Sequence, residues 1–124
     1  MTALAGFVLQ LAASAAPVTH AELDVPQDKG AQVVIVQSRE FGPGATSGWH
    51  VHPGTEIAVV RSGEMELVTA GGVRRLKAGD SFVMPRGVPH NGTNPFGEAA
   101  QVSITLVVDK GASARQSVPA PQVR

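Results

Sequence analysis

Hydrophobic and polar positions alternate over short distances from Gln32 onward. Runs rich in Val, Ile, Leu and Thr are interrupted by glycine and proline at intervals of roughly ten residues, which is typical of a sandwich or barrel. No sustained 3.6-residue period occurs between Gln32 and Val108, so no long helix is expected there. The pattern predicts an all-β domain.

Turn residues separate the predicted strands. The strands are predicted at residues 33–36, 56–61, 64–69, 73–77, 81–84 and 101–108. The first is predicted to be buried, and the second and third to form a hairpin around Ser62-Gly63. In the last strand one face carries Val102, Ile104 and Leu106 and the other carries Ser103 and Thr105. The pattern does not decide which of these faces lines the interior.

The two ends of the chain differ from the middle. Residues 1–31 form an apolar N-terminal segment, predicted to be either a signal-like segment or an arm that packs on the domain or crosses to a second subunit. The first alternative predicts a periplasmic or exported protein, and retention of residues 1–21 predicts a cytoplasmic one. We expect the β-domain at 32–110 and a Pro/Ala-rich C-terminal tail at 111–124, as a mobile tail or an extended arm.

Composition narrows the chemistry that this domain can carry. A chain of 124 residues is predicted to form one domain, and ten basic side chains balance ten acidic ones. Neither nucleic acid nor an anionic membrane is therefore an expected partner, and the apolar run is too short to span a bilayer. Cysteine and tyrosine are both absent, which excludes thiolate ligands and the crosslinked cysteine–tyrosine cofactor of thiol dioxygenases.

Three of the four histidines, His50, His52 and His90, fall into two clusters along the chain. His50 and His52 are one residue apart, so on a strand their side chains point to the same face. Glu56 follows the Pro53-Gly54 turn, and His90 comes from a distant strand. A single strand histidine is usually a surface or satisfied core residue. Four imidazole and carboxylate donors together, however, suit one divalent Fe, Mn, Ni, Cu or Zn ion.

The residues around these donors complete two motifs. The first motif has a glycine, five residues, His-x-His, three residues, a glutamate, six residues and a glycine, at Gly44, His50, His52, Glu56 and Gly63. The second has a glycine, five residues, Pro-x-Gly, two residues, a histidine, three residues and an asparagine, at Gly79, Pro85, Gly87, His90 and Asn94. With both motifs complete, the chain resembles the cupin superfamily, which implies a double-stranded β-helix, the jelly-roll barrel.

This resemblance implies a function as well as a fold. It assigns the metal to His50, His52, Glu56 and His90, and implies a dioxygenase-like oxidoreductase that acts on a small organic molecule, with Glu56 as its catalytic base. The alternative is a metal-dependent binding or sensing module without turnover, and a third possibility is a purely structural ion. Small cupins are commonly homodimers, and exposed edge strands also favour a homodimer.

Overall fold

The computed structural model describes residues 2–3, 5–6, 16–26 and 30–122, and these residues form strands but no helix. The nine strands are β1 (Gln32–Phe41), β2 (His50–Val51), β3 (Gly54–Ser62), β4 (Glu64–Thr69), β5 (Gly72–Lys77), β6 (Ser81–Met84), β7 (His90–Thr93), β8 (Ala100–Asp109) and β9 (Gln116–Ser117). One sheet has the order β1-β8-β3-β6, and the other has the order β5-β4-β7-β2-β9. The predicted all-β fold is confirmed.

Strand β8 is the centre of the four-stranded sheet. It pairs antiparallel with β1 along its whole length and with β3 on its other side. Its residues alternate between buried and half-buried, and Val102, Ile104 and Leu106 are on the buried face. This alternation answers the question that the sequence left open, because the apolar face of β8 points into the core and the Ser103 face points away. The core cluster consists of Phe41, Ala58, Val60, Met65, Leu67, Leu76, Phe82, Met84, Ala100, Val102, Ile104, Leu106 and Val108.

The predicted hairpin around Ser62-Gly63 is wrong. Strands β3 and β4 belong to different sheets, and Gly63 is the corner at which the chain passes from one sheet to the other. Gly63 has a φ of 73°, and a Cβ atom there would lie 2.3 Å from the carbonyl oxygen of Ala99. Period-2 patterning with a Ser-Gly turn does not distinguish such a corner from a hairpin. The hairpin that forms instead joins β4 to β5, with Thr69 opposite Gly72.

The prediction that residues 33–36 are a buried strand is also wrong. They belong to β1, which is longer than predicted and lies at the edge of its sheet. Val33 and Ile35 pack against the core, whereas Val34 and Val36 are 66% and 76% exposed. An unbroken run of β-branched residues predicts burial on both faces, but an edge strand of a two-layer fold buries only one.

The C-terminal segment packs on the barrel. Strand β9 pairs antiparallel with β2, which places His50 opposite Ser117 and Val51 opposite Gln116. At the other end, residues 1, 4, 7–15 and 27–29 are outside the described part of the chain, and so is most of the apolar run at residues 3–11. Among the residues that the structure describes, no helix has the length and apolar character needed to cross a membrane.

Candidate metal centre

The four side chains that the sequence singles out meet between the two sheets. His50 lies on β2 and pairs in register with His90 on β7, while Glu56 reaches them from β3 in the opposite sheet. His52 lies in the short connection between β2 and β3. All four residues are buried, with exposures between 2% and 7%. Each offers one donor atom, that is, one atom able to bind a metal ion, and these four donors lie within 4.8 Å of one another.

The connection between β2 and β3 brings the carboxylate across to the histidines. Only Pro53 separates His52 from the start of β3 at Gly54. A Cβ atom at Gly54 would lie 1.9 Å from the carbonyl oxygen of Val107, so only glycine allows β3 to approach β8 so closely. The chain therefore changes sheets immediately after His52, and Glu56 enters the interior from the opposite side.

Backbone carbonyls fix all three imidazole rings. The Nδ1 atoms of His50, His52 and His90 lie 2.7, 2.6 and 2.8 Å from the carbonyl oxygens of Gly48, Ala114 and Val88. A carbonyl oxygen accepts hydrogen bonds and cannot donate them, so each Nδ1 carries a proton. In the neutral rings, Nε2 is then left with a free lone pair directed towards the shared space. Metal-ligating histidines are oriented by hydrogen bonds of this kind.

The contacts of Glu56 also indicate a cation in this space. Its Oε2 atom lies 2.9 Å from Nε2 of both His52 and His90. Nε2 of His52 is buried and finds no partner of hydrogen-bond geometry among the described residues. Because a lone pair on neutral Nε2 repels a carboxylate oxygen, such short distances require a positive charge between them, either protons or a metal ion. The four donors fit a divalent ion bound by imidazole and carboxylate.

The pKa values of these groups depend on burial and on the charged and polar groups around them. Burial alone raises the pKa of Glu56, but His52 and His90 outweigh it and lower the pKa to about 2. Burial lowers the pKa of His50 to about 4, and the nearby charges of His90 and Arg115 add to this effect. Burial also acts to lower the pKa of His52, but Glu56 and the Ala114 carbonyl raise it above 6.5. Glu56 is therefore a carboxylate and His50 is neutral at neutral pH.

A cavity of about 330 Å³ adjoins the four donors. Its apolar walls are formed by Ile35, Phe41, Met65, Leu67, Phe82, Val102, Ile104 and Leu106. Gln37 and Arg39 of β1 contribute exposed polar groups, and Arg115 contributes a half-buried one. Trp49 and Val51 are not among the lining residues, in agreement with the strand alternation. The cavity is large enough for a small organic molecule beside the four donors.

Sequence reasoning missed two contributions to this site from the C-terminal segment. The Ala114 carbonyl orients His52, and the Arg115 side chain lines the cavity. Neither residue belongs to the two motifs, and a backbone carbonyl leaves no sequence signal at all. Gln37 and Arg39 were missed for another reason, because the predicted first strand ended at residue 36 whereas β1 continues to Phe41.

Comparison with known proteins identifies the family. Residues 38–109, more than half of the chain, match the family model described as a cupin domain. This match includes both motifs and all four donor residues. The chain therefore belongs to the cupin family, and the double-stranded β-helix that the resemblance implied is confirmed.

Individual relatives agree with this assignment. Oxalate oxidase 1 of Hordeum vulgare is 36% identical over 80 residues, which is 56% of this chain and 40% of that protein. A solved structure of oxalate oxidase with the substrate analogue glycolate is 29% identical, has a TM-score of 0.60 and covers 69% of this chain and 46% of its own. An uncharacterized protein with a double-stranded β-helix domain from Klebsiella pneumoniae is 25% identical, also with a TM-score of 0.60, and covers 77% of this chain and 90% of its own. The chain thus spans less than half of the oxalate oxidases that it matches.

The metal-free protein should become less stable as the pH falls below about 6.5. The pKa of His50 is 6.5 ordinarily and about 4 in the fold, so over this range the unfolded chain binds a proton that the folded chain does not. By linkage, this difference lowers the free energy of unfolding by up to about 3 kcal/mol as the pH falls from 6.5 to 4. The pKa of Glu56 is lowered from 4.5 to about 2, so the protein loses further stability as the pH falls between these two values.

The measurement is urea denaturation of chelator-treated protein across this pH range. His52 acts in the opposite sense, because its raised pKa makes a contribution that is lost as the pH rises through that pKa. A maximum of stability near neutral pH is therefore expected. His50→Gln removes the titrating group and should flatten the slope between pH 6.5 and 4. An unchanged slope in this variant would show that His50 is not responsible.

Proposed function

We propose that this chain is a metal-dependent oxidoreductase, dioxygenase-like in its chemistry, that transforms a small organic molecule at a divalent metal held by His50, His52, Glu56 and His90. The observation that carries the proposal is the convergence of three Nε2 lone pairs and one carboxylate at the wall of a cavity of about 330 Å³. The relationship to oxalate oxidases supports an oxidative reaction.

The donor set defines which metals suit the site. Imidazole and carboxylate donors without thiolate suit Fe, Mn, Ni, Cu or Zn in the divalent state. When bound, such an ion would supply a Lewis acid for the substrate and, if it is redox-active, electrons for dioxygen. Four protein donors leave up to two positions open on a six-coordinate ion. This favours a catalytic site over a closed structural one.

The chain's own residues would then position the substrate and move its proton. The three carbonyl-bound Nδ1 groups keep the imidazoles from rotating, so their Nε2 atoms stay directed at one point. The apolar walls would limit the contact of water with the reacting atoms. Glu56, which is ionised at neutral pH, would accept a proton from the substrate at its carboxylate oxygen. A base positioned in this way typically raises the rate of reaction about 10²- to 10⁴-fold.

Metal binding should depend on the histidines as one unit. Loss of a group that only orients a ligand commonly lowers metal affinity about 10- to 100-fold, so loss of a ligand in His90→Ala should lower it by at least about 100-fold. The measurement is elemental analysis of protein purified without chelator or a histidine tag. His20→Ala is the matched control, because His20 is exposed and outside both motifs. Full occupancy in His90→Ala would contradict the assignment.

Replacement of the carboxylate separates catalysis from binding. Glu56→Gln should retain metal through the three histidines but lose about 10²- to 10⁴-fold in turnover, mostly in kcat. Product per bound metal and oxygen uptake would be followed with flavonols, diketones and small aromatic acids. Glu40→Gln, an exposed change on β1, is the control.

Two results would count against this role of Glu56. Unchanged activity per bound metal in Glu56→Gln would make the carboxylate a passive ligand. A wild-type protein that transforms nothing and consumes no oxygen with Fe, Mn, Ni or Cu restored would instead favour the binding or sensing module.

We also propose that the protein is a homodimer. The outer face of the four-stranded sheet presents Val34 and Val36 of β1 beside Ile57 and Val59 of β3, all between 40% and 76% exposed. The register places Thr105 of β8 between Val36 and Ile57, so these residues form one continuous surface. Contiguous apolar patches of this kind usually mark an interaction site.

Light scattering at micromolar concentration should give about twice the chain mass of 12.8 kDa. Val34→Glu combined with Val36→Glu should return the protein to the monomer, since it buries two like charges in the proposed interface. Val73→Glu on β5 is the control, because Val73 is similarly exposed but lies on the other sheet. A monomeric wild type would reject the proposal.

A further inference from the structure

We propose that the cavity contains an anion subsite, in which Arg115 pairs with the carboxylate of an organic acid whose hydrocarbon part lies against the apolar walls. The inference rests on the proposed function, because it defines the class of substrate that the same cavity would take. It concerns a residue outside the part of the chain that matches the cupin model, which ends at residue 109.

The position of Arg115 is fixed by the backbone around it. It immediately precedes β9, and Val118 continues the pairing with a hydrogen bond from its N–H to the carbonyl of Trp49. The guanidinium Nη2 donates to the carbonyl oxygen of Ser47. A Cβ atom at Gly48 would lie 3.5 Å from Nη2, so the group rests closely on this turn. Among the described residues the guanidinium makes no other hydrogen bond, so its remaining N–H groups can donate to a ligand.

Charge distribution indicates an anionic ligand. Within the described residues, Arg75 pairs with Glu64 and Arg86 pairs with Asp109, whereas Arg115 has no carboxylate partner. Glu56 is the sole carboxylate among the described lining residues, and the imidazoles of His52 and His90 occupy it. With a divalent ion bound, the cavity would carry an excess of positive charge. A buried excess of this sign favours an anion.

Arg39 adds a second cation to the same cavity. Its guanidinium carbon lies 4.6 Å from the centre of the Phe41 ring, and it too forms no ion pair among the described residues. Arg39 is exposed and Arg115 is half-buried. Because an ion pair in a partly desolvated position is screened less than an exposed one, Arg115 is the residue expected to decide specificity, with Arg39 raising the local concentration of anions.

The apolar walls define the rest of the ligand. Phe41, Phe82 and Leu106 line the cavity, and its volume of about 330 Å³ exceeds what oxalate needs. Oxalate offers no apolar surface to these side chains. An acid with an aromatic or branched hydrocarbon part would contact both the walls and the guanidinium. Arginine binds a carboxylate through two parallel hydrogen bonds, which also sets the orientation of the ligand relative to the four donors.

Phenylacetate, phenylacetamide and oxalate test this inference by calorimetric titration. Each is titrated into metal-loaded and into chelator-treated protein, so that the contribution of Arg115 is measured without a metal–carboxylate bond. The wild type should bind phenylacetate at least about tenfold more tightly than phenylacetamide in both forms. Arg115→Met should weaken phenylacetate binding about 10- to 100-fold and leave phenylacetamide unchanged. Oxalate should bind more weakly than phenylacetate in chelator-treated protein.

Arg74→Met is the matched control. Arg74 is exposed, and its Nη2 also donates to a carbonyl oxygen, that of Ser81, but it does not line the cavity. This variant should bind all three compounds as the wild type does. Arg115→Lys keeps the charge but not the two parallel hydrogen bonds, and it should weaken phenylacetate binding about 3- to 10-fold. It also serves as the test should Arg115→Met not fold.

Several results would overturn the anion subsite. They are equal affinity of the wild type for phenylacetate and phenylacetamide, unchanged phenylacetate binding in Arg115→Met, or no binding of any of the compounds. Elemental analysis of the same samples distinguishes a failure of the proposed metal-dependent function from a failure of the anion subsite. Protein that takes up no metal would refute the metal-dependent function, while the chelator-treated titrations would still decide the role of Arg115.

Discussion

Each imidazole of the site donates its Nδ1 proton to a backbone carbonyl oxygen, at Gly48, Val88 or Ala114. These three bonds set the tautomer of every ring and the direction of every Nε2 lone pair. The carbonyls precede β2, β7 and β9 of one sheet, and Glu56 comes from β3 of the other, so the site forms only when both sheets and the C-terminal segment are in place. The geometry of the four donors thus depends on the whole fold and not on the motif residues alone.

The close approach of β3 to β8 is a second constraint of the same kind. Gly54 allows that approach, and it places Glu56 in register with Leu106, opposite the histidines. Without it the carboxylate would not reach Nε2 of His52 and His90. A backbone contact at one end of β3 therefore determines the charge balance of the site two residues later.

Much of this arrangement was predictable from the sequence, because the motif spacing identifies the fold and all four donors. The prediction was wrong at Gly63 and for residues 33–36, where a local pattern does not show which strand becomes the neighbour. The alternation in β8 was recognised, but its direction was not, since either face of an isolated strand could be the buried one. Ala114 and Arg115 were missed because their roles depend on where a distant segment packs, which no periodicity encodes.

Strand β9 pairs with β2 and so holds the C-terminal segment beside the candidate metal centre. The family model ends at residue 109, yet the carbonyl that orients His52 and the guanidinium at the cavity come from residues 114 and 115. Two proteins with identical motifs can therefore differ in chemistry through the residues beyond their last long strand. Within the family, the segment after β8 is a region where a new specificity can arise while the four donors stay as they are.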